Sequence, residues 1–163
     1  MVRVRRYQEG DGPAIRDLHE RALADTGTDP ADVPDIDDLE DVPGTYLDTG
    51  GEFLVAEVDG EIVGMGGLRV DVDDHGVAEA GERPGELFRM RVDPDRQRKG
   101  VGSAVLDGLE AAARRRGVDR LLAETAERQA AATRFYPANG FAEVRRRSYG
   151  EYDLVLFSKA LGE

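Results

Sequence analysis

Hydrophobic and polar residues alternate in short runs along the chain, and these runs predict β-strands. Over residues 2–7 the valines occupy one face and the arginines the other, as in a half-buried strand. Asp59-Gly60 separates two apolar runs, and Asp-Gly at that position favours a tight hairpin because the turn needs positive φ. The other predicted strands are 52–58, 61–65, 86–92, 119–125, 141–144 and 152–158.

Apolar residues at helical spacing predict helices between these strands. The first helix carries Pro13 in its first turn, with Asp11 as its N-cap. The acidic segment 25–41 predicts a loop and a short second helix, and longer helices follow at 102–116 and 128–138. This order predicts an α/β or α+β fold with helices on both faces of one sheet. The apolar positions of the first two helices are Ile15, Leu18, Ala22, Leu23, Val33, Ile36 and Leu39.

Length and composition narrow the class of protein. The chain of 163 residues has the length of one domain, residues 1–163. It has no cysteine, which excludes disulfides, thiolate metal sites and cysteine nucleophiles. No apolar run approaches the ~20 residues of a membrane span, and the N-terminus lacks an apolar signal core. We therefore expect a cytoplasmic protein with no membrane partner.

The balance of acidic and basic residues indicates which partners the protein can bind and in what environment it occurs. A net charge of −12 and a pI near 4.7 argue against non-specific nucleic-acid binding, which depends on neutralising phosphates. Lys99 and Lys159 are the only lysines, and every other basic residue is arginine. Abundant carboxylates with almost no lysine are typical of the acidic proteome of a halophile, where a carboxylate surface keeps protein soluble in high salt. A GC-rich genome would also favour arginine over lysine, but it explains the negative charge less well.

The most informative segment is a glycine turn between a strand and a helix, residues 97–102. The N-terminus of a helix presents backbone N–H groups without partners and a partial positive charge. Gly100 and Gly102 remove side chains that would keep an anion away, while Arg98 and Lys99 add cations. These features predict a pyrophosphate site. The P-loop sequence Gly-Lys-[Ser/Thr] and the third glycine of a dinucleotide fingerprint are both missing, which argues against those sites.

Two motifs carry a resemblance to a known family. Gln97-x-x-Gly100-x-Gly102 matches the Q/R-x-x-G-x-G/A pyrophosphate motif of the GNAT N-acetyltransferase superfamily. Ala132-Thr133-Arg134-Phe135-Tyr136-Pro137-Ala138-Asn139-Gly140-Phe141 resembles its second signature, A-x-x-F/L-Y-x-x-x-G-F. The resemblance implies a splayed mixed sheet of about seven strands with helices on both faces. It also implies acetyl-CoA as co-substrate, with no metal, wedged where the fourth and fifth strands part.

The resemblance implies roles for individual residues. The main chain of Met90 and Val92 would follow the pantetheine arm, and the Met90 N–H would face the thioester oxygen. Tyr136 matches the tyrosine that protonates the departing thiolate, and a phenol with a pKa of ~10 keeps its proton at neutral pH. The alternative for Tyr136 is an aromatic core residue. The pyrophosphate would bind at Gln97, Arg98, Lys99, Gly100, Val101, Gly102 and Ser103.

The general base is the least defined role. Glu86 matches the position of the base in some members, and strand alternation predicts that it shares a face with Phe88 and Met90. Glu124 is the competing candidate, and each carboxylate has the alternative of pairing an arginine.

Two residues depart from the family pattern. Gln129 stands where many members have an asparagine that contacts the cofactor arm, and Pro137 lies inside the predicted last helix.

The acceptor is left open by the sequence. The resemblance places it near the first two helices, in segment 25–46, and near the loops after the third and sixth strands, which here are the polar segments 71–85 and 145–152. The first is acidic and would attract a cationic amine, unless its carboxylates are only halophile surface; Arg145-Arg146-Arg147 favours an acceptor with a carboxylate. Asp71, Asp73, Asp74 and His75 are interpreted as a solvated loop, because such ligands on one loop make a poor metal site. His19, among charged residues, is predicted at the surface.

The predicted function is therefore an acetyl-CoA-dependent N-acetyltransferase that acts on a primary amine of a small molecule or a protein. Its partners are an acyl-CoA and the amine acceptor, with no nucleic acid, and a homodimer stays open. The alternative is a module of the same fold that binds acyl-CoA as a regulatory ligand without turnover.

Overall fold

Seven strands form one mixed sheet in the order β1-β2-β3-β4-β5-β7-β6. The structure, a computed structural model, describes residues 2–26, 37–73, 75–97 and 99–162, apart from the side chain of residue 149. Only β4 and β5 pair in parallel; the other neighbours are antiparallel. The strands are β1 (Arg3–Arg6), β2 (Glu52–Val58), β3 (Glu61–Val70), β4 (Pro84–Val92), β5 (Arg120–Ala126), β6 (Ala142–Tyr149) and β7 (Tyr152–Ala160).

Helices cover both faces of the sheet, as predicted. One face carries α1 (Gly12–Asp25), α2 (Asp37–Glu40) and a single π-helical turn (Pro43–Leu47), and the other carries α3 (Val101–Arg115) and α4 (Ala130–Ala138). Each face has its own apolar core. Ile15, Leu18, Tyr46 and Phe53 belong to the first core, and Val105, Leu109, Tyr136 and Phe157 to the second. No helix among the described residues has the length and apolarity that crossing a membrane requires.

A β-bulge interrupts β4 near its end. On β3, Met65 pairs with Arg91 and Gly67 pairs with Phe88, so Gly66 alone faces two residues of β4. The extra residue is accommodated by Arg89, which has a φ of 58°. A bulge re-aims the side chains that follow it, because it shifts the alternation of the strand by one residue.

The sheet also splits beside this bulge. The parallel pairing of β4 with β5 ends at Leu87 and Ala123, whereas β5 stays paired with β7 as far as Ala126. Residues 88–92 of β4 therefore present a strand edge without a β5 neighbour. The splayed sheet expected from the family resemblance is confirmed.

Several local predictions need correction. The third strand runs to Val70 and the fourth begins at Pro84, so the predicted polar loop is shorter than residues 71–85. The sixth strand extends to Tyr149, which places the three arginines 145–147 in a strand instead of a loop. Long polar strands at a sheet edge lack the apolar alternation by which strands are predicted. The predicted second helix is only partly testable, because Val33 and Ile36 lie outside the described residues.

Asp11 occupies the N-cap position of α1 but makes no capping hydrogen bond. Its carboxylate instead accepts hydrogen bonds from two nitrogens of Arg5, at 2.8 and 3.0 Å, and from the Gln8 N–H at 2.7 Å. These bonds lower the pKa of Asp11 even though burial opposes the shift. The side chain therefore ties β1 to the start of the helix, while Pro13 lies in the first turn as predicted.

Candidate active site

The split between β4 and β5 is bordered by the N-terminus of α3 and by α4. A Cβ built on Gly102 would lie 3.2 Å from the Phe135 ring and 3.5 Å from a Val92 methyl group. Met90 and Val92 pack against the core cluster that contains Tyr136. The glycine turn, the end of β4 and the tyrosine of the second motif thus meet at one place, although Tyr136 comes 34 positions after Gly102 in the sequence.

The turn before α3 has the geometry of an anion site. Gly100 is the residue that precedes the helix, with a φ of 81° that favours glycine, and its surroundings are open. No side chain caps the helix, and its first turn holds no acidic residue. Lys99 is exposed beside it and Gln97 is partly buried, while Arg98 lies outside the described residues. The N–H groups of the first turn therefore lie at a helix end whose own first turn carries no negative side chain.

The two positions of the motif are glycine for different physical reasons. Gly100 is favoured by its backbone conformation, a φ of 81°. Packing does not require a glycine there, since nothing lies within 4 Å of its hypothetical Cβ. Gly102 is required by close packing of α3 on Phe135 and Val92. The sequence pattern alone did not separate these two roles.

Tyr136 is held rigidly by three aromatic rings. The ring centroids of Phe135, Phe141 and Phe157 lie 5.3, 5.2 and 5.5 Å from its own. Burial raises the pKa of Tyr136 to about 12, although the charge of Arg91 acts in the opposite direction. The described residues offer its hydroxyl no hydrogen bond. Tyr136 is thus a core residue, and its phenol keeps its proton at neutral pH.

Pro137 does not remove Tyr136 from this position. It lies in the last turn of α4, and Tyr136 closes the helix by accepting hydrogen bonds from the N–H groups of Asn139 and Phe141, both at 3.0 Å. Gln129 is the residue before α4, which begins two residues later than predicted and is separated from the end of β5 by residues 127–129.

Glu86 lies on the opposite face of the sheet from Met90, so the prediction that they share a face is wrong. Glu86 precedes the bulge and shares the α1 and α2 face with Phe88, whereas Met90 packs into the α3 and α4 core. The bulge at Arg89 breaks the alternation between them. Glu86 is buried, and its Oε2 is 3.3 Å from the Nε2 of His75, which is itself mostly buried.

The bulge is fixed from the α2 side by an ion pair. Arg89 donates from Nε and Nη2 to Asp38 at 3.0 and 2.9 Å, and the Tyr46 hydroxyl donates to the same carboxylate at 2.6 Å. Burial raises the pKa of Asp38, but these hydrogen bonds outweigh it and the net shift is downward. None of the three residues was assigned a role from the sequence, since only the fold brings them together.

Arg91 and His19 are two further buried residues whose positions were not predicted from the sequence. The Nε atom of Arg91 and both ring nitrogens of His19 are buried without a hydrogen-bond partner among the described residues. Burial, and then Arg91 and Arg89, lower the pKa of His19 to about 4, so the ring is neutral. Burial also lowers the pKa of Arg91, to about 10, which leaves it charged at neutral pH. The prediction of a surface His19 is wrong. The position of His19 four residues after Ile15, on the buried face of α1, was the feature of the sequence that could have predicted its burial.

The remaining charged candidates pair with one another. Glu124 accepts two hydrogen bonds from Arg147, at 2.9 and 2.7 Å, which confirms the alternative that it pairs an arginine. Arg146 pairs with Glu127 and Glu143, and Arg145 donates to the His75 carbonyl. The three arginines therefore have partners within the protein.

The acidic loop has structural partners as well. Asp71 pairs with Arg83, and Asp73 accepts from the N–H groups of Val77 and Ala78. Among the described residues no group of three or more acidic or histidine side chains could hold a metal ion, and Asp74 is outside them. His75 turns away from the loop to Glu86, so the interpretation of a wholly solvated loop is wrong for that residue.

Comparison with known proteins identifies the family. The model of the acetyltransferase (GNAT) family matches residues 13–141, which include both motifs. The chain belongs to the GNAT acetyltransferase family. It is also 36% identical over 100 residues to the IAA acetyltransferase of Azospirillum brasilense, over 61% of this chain and 59% of that protein. The chain spans about half the length of the curated relatives it matches.

Solved GNAT structures share the fold. An acetyltransferase of the family from Staphylococcus aureus Mu50 superposes with a TM-score of 0.83 at 22% identity, over 99% of this chain and 100% of that one. A putative acetyltransferase from Salmonella typhimurium, solved with its cofactor acetyl-CoA, gives a TM-score of 0.77 at 23% identity, over 99% and 95% of the two chains. The seven-stranded splayed sheet is thus the fold of this GNAT family member.

Proposed function

We propose that this GNAT protein transfers an acetyl group from acetyl-CoA to a primary amine by direct attack on the thioester. The observation that carries the proposal is the open edge of β4. It lies between the N-terminus of α3, which no side chain caps, and Tyr136 of α4. A linear thioester cofactor with a pyrophosphate at one end fits this arrangement, because its charged end and its reactive end require different surroundings.

The glycine turn would bind the pyrophosphate. Backbone N–H groups at Gly100, Val101, Gly102 and Ser103 would supply hydrogen bonds, aided by the partial positive charge of the helix. Gln97, Arg98 and Lys99 would add polar and cationic side chains. The chemistry of this set suits an anion, since the first turn holds no carboxylate.

The open edge of β4 would bind the pantetheine arm. Met90 and Val92 would contribute backbone hydrogen bonds that β5 does not use, and Gln129, on the far side of the split, would contact the same arm. The N–H of Met90, in the bulge, would polarise the thioester carbonyl. The ion pair of Arg89 with Asp38 supports this role because it holds the bulge in place.

Glu86 and Tyr136 would handle the two protons. As the amine nitrogen attacks, an N–C bond forms and the C–S bond breaks. Glu86, directly or through a water molecule, accepts one proton from the amine, and Tyr136 donates one to the departing thiolate. Solvent then restores both groups, so no oxidant, reductant or metal takes part. His75, 3.3 Å from Glu86, would orient that carboxylate.

A two-stage experiment tests the proposal. The first stage measures the thermal shift with acetyl-CoA, with ATP and NAD as comparison ligands, in a high-salt buffer suited to the predicted halophile. The second stage measures release of free CoA thiol over a panel of primary amines. We expect a shift with acetyl-CoA only, and thiol release that depends on the amine.

The two stages separate the alternatives. Absence of any shift at millimolar acetyl-CoA contradicts the cofactor assignment. A shift without thiol release over amines that include peptides supports the second reading, a module that binds acyl-CoA without turnover.

A further inference from the structure

A cavity of about 510 Å³ opens beside the bulge, on the α1 and α2 face of the sheet. This volume lies within the range of small-molecule sites. Phe88 and Arg89 form one wall, so the cavity adjoins the open edge at which the thioester would lie. Its remaining wall and rim consist of Asp37, Asp38, Asp41, Thr45, Tyr46 and Arg69.

The carboxylates of this cavity are weak recognition groups. Asp38 is fully engaged by Arg89 and by the Tyr46 hydroxyl. Asp37 and Asp41 are exposed, and exposed charges are screened by water and salt. The acidic rim therefore attracts cations only loosely, and the interior decides what binds.

Two arginines line the cavity, and Arg69 is the one that Asp38 does not pair. It is partly buried, and its guanidinium carbon lies 5.9 Å from the centre of the Phe88 ring. No carboxylate or other acceptor among the described residues hydrogen-bonds to it. A partly buried guanidinium without a counterion favours an anionic ligand, and its planar fork suits a carboxylate.

Arg69 and Glu86 are neighbours on one face of the sheet. They pair directly across β3 and β4, so their Cβ atoms are about 5 Å apart. The described structure has no ion pair between them, since Glu86 contacts His75 instead. A guanidinium whose shape suits a carboxylate thus lies beside the group that would accept a proton from an amine.

We propose that the acceptor is a small amine that carries a carboxylate a few bonds away, bound through Arg69 with its amine beside Glu86. The apolar part of such a molecule would lie on Phe88. This inference rests on the proposed function and adds the acceptor class to it. The transfer is unchanged: the N–C bond forms, the C–S bond breaks, Glu86 takes the amine proton and Tyr136 supplies the thiolate proton.

The test compares acceptors and variants in pairs. L-Phenylalanine and L-methionine are assayed by thiol release against phenylalaninamide and methioninamide, which lack the carboxylate. Wild type is compared with Arg69→Gln, Arg69→Lys and Arg115→Gln, the last being an exposed arginine on α3 outside the cavity. Because each acceptor is compared between variants, differences in intrinsic amine reactivity cancel.

We expect Arg69→Gln to lower kcat/KM for the amino acids by about tenfold to hundredfold, mainly through KM. The amides should change less than about threefold, Arg69→Lys should retain part of the activity, and Arg115→Gln should match wild type. Equal losses for acids and amides, or a preference of wild type for spermidine over the amino acids, would overturn the inference. Those results leave the acetyl-CoA shift in place, so they are distinguishable from failure of the proposed function, which removes the shift or all thiol release.

Discussion

Arg89 and Asp38 join the bulge of β4 to α2 through two hydrogen bonds, of 3.0 and 2.9 Å. Their side chains are only 13% and 15% exposed, so the pair is largely shielded from water. Arg89 also has the positive φ of 58° that the bulge requires. An unfavourable backbone conformation at a candidate active site is thus held by a contact from another element.

Asp38→Asn should destabilise the protein by about 2 kcal/mol, because it leaves a shielded guanidinium beside a neutral amide. We also expect a lower kcat/KM, since the bulge loses its support. Chemical denaturation and the thiol-release assay measure the two effects. Asp107→Asn, at an exposed position of α3, is the isosteric control and should change stability by less than about 0.5 kcal/mol. Equal effects of the two substitutions would contradict the role of the pair.

Tyr136→Phe should lower kcat by about a hundredfold or more and leave acetyl-CoA binding intact. Its stability should change little, because the hydroxyl has no hydrogen bond to the described residues. The pKa of about 12 predicts that Tyr136 causes no loss of activity between pH 8 and about pH 11. Tyr7→Phe, on the opposite face against Phe53, serves as the control. A kcat within about threefold of wild type would assign Tyr136 to packing alone.

Gly100→Ala should weaken acetyl-CoA binding by about tenfold, because a methyl group enters the approach to the helix N–H groups. The matched control is Gly60→Ala. Both glycines have nearly the same φ, 81° and 82°, and neither Cβ would meet an atom within 4 Å. The two variants should therefore lose similar stability, about 1 kcal/mol, for the same backbone reason. Calorimetric Kd values that are equal for the two variants would remove the turn from the cofactor site.

His19 should make folding stability depend on pH below neutrality. Its pKa is about 4 in the folded protein and 6.5 in the reference state, so the unfolded chain binds more protons between these values. Stability is then fully present above about pH 6.5 and is lost as pH falls towards 4. Between pH 7 and pH 5 the loss from this residue is about 2 kcal/mol.

His19→Leu should reduce that loss, since leucine does not titrate, and the substitution removes both unpaired ring nitrogens. Urea titrations at pH 7 and pH 5 give the difference for each protein. Arg91, Arg89 and Asp38 act on His19 and remain in the variant, so the comparison isolates the imidazole. The same loss in both proteins would mean that other groups, not His19, cause the acid sensitivity.

Local chemistry explains what could be predicted from the sequence. Strand alternation and helical spacing depend only on near neighbours, and they predicted seven strands and the helices between them. The glycine turn was recognisable because Gly100 and Gly102 lie two residues apart, and the second motif because Phe135, Tyr136 and Phe141 are close in sequence. Predicting one helix N-terminus and one helix with aromatic residues requires no information about contacts between residues far apart in the sequence.

Only the tertiary structure decided how these parts combine into a site. One extra residue in β4, with Arg89 at positive φ, turned Met90 away from the face of Glu86, and no periodicity encodes such a bulge. The contacts of Asp38 with Arg89, and of His75 with Glu86, join residues from different elements. Residue types along the chain therefore determined the two family motifs, whereas the proposed proton acceptor and the proposed acceptor cavity depend on side chains that meet only after the sheet has formed.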